Sequence, residues 1–316
     1  MTTIGGPEVL EWGPLELAEP GPGQIAVNVT AAGVNFIDVY HRTGLYPLPL
    51  PFTPGFEGAG VVEAVGVDVS LEIGARVAWS TAPGSYAERV VMAADVVVEV
   101  PDSVGLDTAA AVMLQGLTAH YLSHDTYSLA EGDSCLIHAG AGGVGNLLIQ
   151  MAKARGATVF ATVGSSEKAE VAREAGADHV IDYSTADFGD AIEEIAGPRP
   201  LAVVYDGVGA ATFERGLGLL GRRGTMVTFG NASGPPAPVD PLELARHGSV
   251  YVTRPTLRDY TGTRDELLQR TDDLFRWIAA GDLEVRIGSR FPLSEAATAH
   301  RALEGRRTTG KVLLEA

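Results

Sequence analysis

The stretch IHAGAGGVGNLLIQMAKARGATVFATVG, residues 137–164, constrains the fold more than any other part of the chain. An apolar run ends at His138, and Gly140, Gly142 and Gly145 then give G-x-G-x-x-G at the start of a helical pattern. A second apolar run, 158–163, follows it. This order predicts strand, turn, helix and strand. One glycine permits the tight turn, the next lets backbone approach a pyrophosphate, and the third lets the helix pack close to the sheet. Unpaired N–H groups at the helix start would face the phosphates. A glycine triplet alone is a weak signal; with both strands and the helix in place it predicts a dinucleotide site.

The same rhythm continues. Candidate strands at 134–138, 158–163, 179–181, 203–206, 224–229 and 249–253 alternate with helical stretches such as 146–155 and 167–175. Continuous apolar runs at this spacing predict βαβ units on a six-stranded parallel sheet, the two halves of a Rossmann domain. The first third reads differently. Residues 25–31, 58–66, 75–79 and 86–92 are short, partly alternating runs between Gly and Pro signals, which predict a compact, mainly β domain. A helix at about 264–280, a strand-like run at 284–291, a helix near 295–304 and the apolar segment 312–314 do not extend the βα count. They are placed back on the first domain. Two domains suit a chain of 316 residues.

A formal charge of −17 argues against nucleic acid or an anionic membrane as partner. The N-terminus lacks a basic region followed by an apolar run, and no apolar stretch approaches a membrane span, so a cytoplasmic protein is expected. The single cysteine, Cys135, lies in an apolar strand, where a buried inert thiol is expected. His41, His120, His124, His138 and His179 are scattered, and each is read as an ordinary structural or surface histidine rather than a metal ligand. Serine catalysis has little support, since no G-x-S-x-G elbow is present. Asp38 and Glu57 could form a carboxylate pair or serve as buried hydrogen-bonding and capping groups; Tyr40 and Tyr46 could meet a ligand or simply pack.

The end of the second strand bears on the cofactor. Where an NAD site usually offers a carboxylate, this chain has Gly164 and Ser165, with Lys168 nearby. A missing carboxylate removes the repulsion that rejects a 2′-phosphate, and Lys168 could pair with that phosphate or be a solvated helix residue. These residues favour NADPH over NADH and leave both open.

Taken together, AAGVNFIDVYHRTGLYP, PGFEGAGVVEAVG, GDSCLIHAGAGGVG, VVYDGVG, GTMVTFGNASG and GSVYVTRP resemble, in this order, the NADPH-dependent quinone oxidoreductases. These form the zeta-crystallin-like branch of the medium-chain dehydrogenase/reductase superfamily. The resemblance implies a GroES-like catalytic domain over 1–119 and 256–316, around a Rossmann domain over 120–255, and a homodimer. The positions of the catalytic zinc ligands in zinc-dependent relatives fall on Asn35, Phe56 and Gln115, so no metal site is implied. The 2′-phosphate contacts fall on Lys168, Tyr183 and Arg306, with Arg307 an alternative to the last. Gly140, Gly142, Gly143, Val144 and Gly145 fall at the pyrophosphate, with Gly164 and Ser165 beside the ribose. The nicotinamide end maps to Asn35, Gln115, Phe229 and Asn231, and the substrate pocket to Asn35, Tyr40, Tyr46 and Arg254. The implied reaction is hydride transfer from NADPH to a quinone. An enone reductase and a noncatalytic NADPH-binding protein are the rival readings.

Overall fold

The computed structural model describes residues 1–16 and 19–316. The chain forms two compact units, Met1–Leu117 with Thr261–Ala316, and Thr118–Tyr260.

The first unit is organised on β1 (Gln24–Val34), which the chain follows directly with the short helix α1 (Phe36–Thr43). That helix starts where the Asp38 carboxylate accepts the Asn35 backbone N–H at 2.8 Å, and it stops at Gly44, whose φ of 80° suits a residue without a Cβ. β2 (Glu57–Val65), β3 (Arg76–Trp79), β4 (Arg89–Ala93) and β5 (Val98–Glu99) follow, then α2 (Leu106–Tyr121). β2 and β4 both pair antiparallel with β1, and Ile25, Val27, Val62, Trp79 and Val90 fill the core beneath them.

The second unit alternates strand and helix: β6 (Ser134–Ile137), α3 (Gly143–Ala154), β7 (Thr158–Val163), α4 (Ser166–Glu174) and β8 (His179–Asp182). It continues through α5 (Phe188–Ala196), β9 (Leu201–Asp206), α6 (Phe213–Leu219), β10 (Leu220–Thr228), α7 (Pro241–Arg246), β11 (Tyr251–Thr253) and α8 (Leu257–Tyr260). The six strands are parallel in the order β11-β10-β9-β6-β7-β8. The strand order reverses between β6 and β9, and ligands of such sheets bind beyond the carboxyl ends of the strands at that reversal. Cys135, on β6, is fully buried, and burial pushes its thiol up to about 12.

The chain then returns to the first unit through α9 (Arg264–Ala280), β12 (Ile287–Pro292), α10 (Ala296–Glu304) and β13 (Lys311–Glu315). β13 pairs antiparallel with β1, with Val34 opposite Val312. Tyr86, Leu293 and Leu314 pack with Ala32 and Val34 on this seam.

Two helices, α1 and α2, stand where the sequence pattern named none. The second unit also reaches beyond residue 255. Within it the Tyr260 ring stacks on Tyr121 at 4.2 Å, and Thr126 Oγ1 donates to the Tyr260 hydroxyl at 3.0 Å.

Candidate active site

In the second unit the glycine turn leaves β6 through His138 and Ala139, whose φ is 54°. The Gly140 N–H donates to the Thr162 carbonyl at 2.9 Å, tying the turn to β7. A Cβ on Gly140 would lie 2.9 Å from the Ala161 Cβ, and one on Gly145 would lie 2.9 Å from the Ala139 carbonyl carbon. These two glycines therefore let α3 start against the strand end. Gly142 caps that helix without a side chain, so the N–H groups of Gly143, Val144 and Gly145 begin the helix as anion donors. Beneath the turn, His138 Nδ1 is 2.9 Å from Thr162 Oγ1, and burial pushes the imidazole down to about 4. His138 is thus a neutral structural group.

At the neighbouring strand end, Val163 pairs with Asp182, so Gly164 comes beside Tyr183. A Cβ on Gly164 would lie 2.5 Å from the Tyr183 hydroxyl oxygen. The glycine thus makes room for a tyrosine where a carboxylate would otherwise project. Ser165 caps α4 by accepting the Lys168 N–H at 3.4 Å, and Lys168 sits in the first turn of that helix. The structure therefore brings Gly140–Gly145, Gly164, Ser165, Lys168 and Tyr183 together at the ends of β6, β7 and β8. The donor set suits a phosphorylated dinucleotide: helix-start N–H groups, a lysine, a phenol and no acid at the strand end.

A second cluster forms at the ends of β9, β10 and β11. The buried Asp206 carboxylate accepts the N–H groups of Val208 and Gly209 at 2.7 and 3.0 Å and the Thr212 hydroxyl at 2.9 Å. It holds the Gly207–Gly209 turn on which the Phe229 ring lies; a Cβ on Gly207 would be 3.0 Å from that ring. Arg254 Nη1 donates to the carbonyls of Thr228 and Gly230 at 3.1 and 3.0 Å. With its amide turned to satisfy both ends, Asn231 donates to the Gly230 carbonyl at 2.8 Å and accepts from Arg254 Nη2 at 3.3 Å. Arg254 thus braces the loop carrying Phe229 and Asn231.

In the first unit Asn35 and Gln115 meet at the start of α1, and Tyr40 and Tyr46 lie in and just beyond its C-terminal half. Tyr40 and Tyr46 meet edge to face with ring centroids 5.1 Å apart, and the His41 ring packs tilted against Phe56 at 4.9 Å. The Asn35 side chain is engaged on every side. Its Nδ2 donates to Glu57 Oε2 at 2.8 Å and the Gly33 carbonyl at 3.3 Å, while its Oδ1 accepts from Lys311 Nζ at 2.8 Å and Gln115 Nε2 at 3.1 Å. Lys311 also forms a fully buried ion pair with Glu57, whose other oxygen accepts the Leu114 N–H at 2.6 Å. Burial pushes the Lys311 ammonium below its ordinary value, and Glu57 opposes that shift.

Asp38 and Glu57 are capping and ion-pairing groups within this network. Tyr86 donates to Asp38 Oδ2 and lies 3.1 Å from His300 Nε2, and burial pushes Asp38 up to about 7. Lys311 and its part in the network escape a sequence reading, because only the β1–β13 register brings residue 311 to residue 35. A lysine opening the apolar run KVLLE is the one local hint of a buried charge. Arg306 lies in this unit, after α10, with φ 55°.

Zinc does not suit these residues. At the three positions that the family resemblance aligns with zinc ligands, Asn35 and Gln115 are amides joined to each other, Phe56 is hydrocarbon, and the Lys311 ammonium lies against Asn35. Among the described residues no group of three or more His, Cys, Asp or Glu is placed to hold a metal ion.

A β-rich unit joined to a parallel Rossmann sheet with this phosphate turn defines a two-domain dehydrogenase/reductase. Residues 21–102 match the model of the alcohol dehydrogenase GroES-like domain, and residues 143–271 that of the zinc-binding dehydrogenases. A quinone oxidoreductase of Pseudomonas aeruginosa is 48% identical over 313 residues, 98% of this chain and 96% of that protein. A 2-haloacrylate reductase of a Burkholderia species is 42% identical over 98% of this chain and 96% of its own. The crystal structure of Escherichia coli quinone oxidoreductase complexed with NADPH superposes with a TM-score of 0.97 at 43% identity, covering 100% of this chain and 98% of that one. The chain belongs to the quinone oxidoreductase family, in the zinc-independent branch of the medium-chain dehydrogenase/reductase superfamily.

Proposed function

We propose that the protein is an NADPH-dependent oxidoreductase that reduces quinones, and enone-like activated alkenes, without a metal. The observation that carries this reading is the strand end at Gly164, free of a carboxylate and set beside Lys168 and Tyr183. The relatives support it: one is a quinone oxidoreductase crystallised with NADPH, and another a 2-haloacrylate reductase, whose name denotes an activated alkene.

In this reading the unit Met1–Leu117 with Thr261–Ala316 is the catalytic domain and Thr118–Tyr260 the cofactor domain. Gly140, Gly142, Gly143, Val144 and Gly145 hold the pyrophosphate by backbone N–H groups. Gly164 and Ser165 border the ribose, and Lys168, Tyr183 and Arg306 take the 2′-phosphate. Phe229, Asn231 and Gln115 hold the nicotinamide end, with Asn35 behind Gln115. When bound, NADPH supplies the hydride, so the protein's task is to bind, align and exclude water. Tyr40 and Tyr46, packed edge to face, offer the acceptor aromatic surface and hydroxyl groups. Arg254 acts at the acceptor site through the loop that it braces. A direct donor role for Asn35 toward a quinone oxygen, implied by the family resemblance, would require Asn35 to release Glu57 or Gly33.

A homodimer is part of the proposal. β11 is the outer strand of the parallel sheet, and its Tyr251 is 60% exposed; pairing across a two-fold axis would cover that edge. The −17 charge disfavours nucleic acid as a partner. Among the described residues no helix is long and apolar enough to cross a membrane, and we assign the protein to the cytoplasm.

Oxidation of NADPH measured with a quinone, with an enone, and with neither tests the reading. Turnover with the quinone, and to a lesser degree with the enone, is expected. Tight NADPH binding without turnover on either acceptor would favour a noncatalytic role.

A further inference from the structure

We propose that Lys311 is a positioning residue for the nicotinamide end, holding the Asn35 carboxamide and, through it, the carboxamide of Gln115. The proposal rests on the NADPH reading above and deepens it.

The register explains how the lysine comes to be there. Gly33 pairs with Glu57 on one side of β1 and with Leu313 on the other, and Val34 pairs with Val312, so continuing the ladder by one residue sets Lys311 opposite Asn35. Gly33 has no side chain, and the ion pair of Glu57 and Lys311 fills that space. A Cβ on Gly33 would lie 2.7 Å from Lys311 Cε and closer still to Glu57 Oε2. Both charged side chains are at most 1% exposed. Burying two charges is costly, and here they meet on one amide.

An asparagine at a helix start commonly caps it with its side-chain oxygen. Asn35 has its Oδ1 turned to the ammonium and Gln115 Nε2, and its Nδ2 to the carboxylate and the Gly33 carbonyl. Reversing the amide would put N–H groups against an ammonium and an oxygen against a carboxylate. Lys311 and Glu57 thus permit one orientation. That orientation fixes Gln115 in turn: its Nε2 is spent on Asn35, and its Oε1 is a buried acceptor without a partner in the chain. An acceptor held at this point suits the amide N–H of a nicotinamide carboxamide. Without the lysine, Asn35 could flip and Gln115 would lose its fixed polarity.

Two ligands separate this role from general support of the fold: NADPH, and 2′-phospho-ADP-ribose, which lacks the nicotinamide. Titration of wild type, K311M and the charge-balanced E57Q/K311M should show NADPH weakened about 5-fold in both variants, the size of one neutral hydrogen bond. The fragment should bind all three proteins alike. In a Q115A background, K311M should add nothing further to the loss of NADPH affinity, and with a quinone kcat should fall about 10- to 100-fold in K311M. E57Q/K311M keeps the test open if K311M alone does not fold. Equal losses for both ligands, no loss for either, or additive losses of K311M and Q115A would overturn the positioning role. Failure of wild type to bind NADPH or the fragment would overturn the NADPH reading itself, and the proposal with it.

Discussion

Asp38 carries the clearest pH signature in the molecule. Its carboxylate accepts the Asn35 N–H and the Tyr86 hydroxyl, yet burial outweighs both bonds and pushes it from an ordinary 3.8 up to about 7. Between those values the folded chain holds a proton that the unfolded chain has released. Asp38 therefore stabilises the fold at low pH, and that contribution is lost as pH rises toward 7, at up to about 1.4 kcal/mol per pH unit. His138 and His300 work in the opposite direction: burial pushes them to about 4 and about 3, so they cost stability as pH falls below their ordinary 6.5. Comparing Asp38→Asn with wild type removes the Asp38 titration while keeping both histidines in place. Denaturant melts from about pH 4 to 7 should show the asparagine variant gaining on wild type as pH rises, with little further change above 7. A pH-independent difference, or one of opposite sign, would show that Asp38 is ionised throughout.

At the scale of elements, the proposed determinant of cofactor choice is the unit β7–α4–β8. Lys168→Ala should weaken NADPH while leaving NADH nearly unchanged, since only NADPH carries the 2′-phosphate. A charge-assisted bond is worth about 1.5–3 kcal/mol, or roughly 10- to 150-fold in affinity, and the proposed sharing of the phosphate with Tyr183 should keep the loss near the lower end. Gly164→Asp should do more than add a negative charge. Its Cβ would meet the Tyr183 hydroxyl, so the same change should also displace the tyrosine proposed to contact the phosphate and turn preference toward NADH. Equal losses of both cofactors in Lys168→Ala would assign the lysine to the fold. This unit was legible in the sequence because parallel strands covered on both faces read as unbroken apolar runs, and because the glycines have positional reasons. α1 and α2 were not legible. α1 has eight residues rich in aromatic and β-branched types and depends on its Asp38 and Gly44 ends; α2 is largely buried around its circumference, so it lacks an amphipathic period. The Lys311 network was hidden for another reason: residues 35, 57 and 311 meet through strand register, which no local pattern encodes.

For the whole molecule, the chain order carries the architecture: the β-rich unit is left after β5 and α2, and β13 returns to close onto β1. The exposed edge at β11 belongs to the same scale. A substitution that disrupts strand pairing there, Val252→Pro, should shift sedimentation from a dimer toward a monomer at micromolar concentration, with the Rossmann sheet retained by far-ultraviolet circular dichroism. A wild type that sediments as a monomer would contradict the dimer. Metal-free turnover with NADPH is tested by comparing kcat/KM for NADPH and NADH with one quinone, on enzyme treated exhaustively with chelator and assayed for metal content. Turnover undiminished by chelation, no stoichiometric zinc, and a preference for NADPH of at least about 10-fold, the lower bound for one phosphate contact, are expected. Turnover abolished by chelation and restored by zinc, or an equal or greater kcat/KM with NADH, would contradict these expectations.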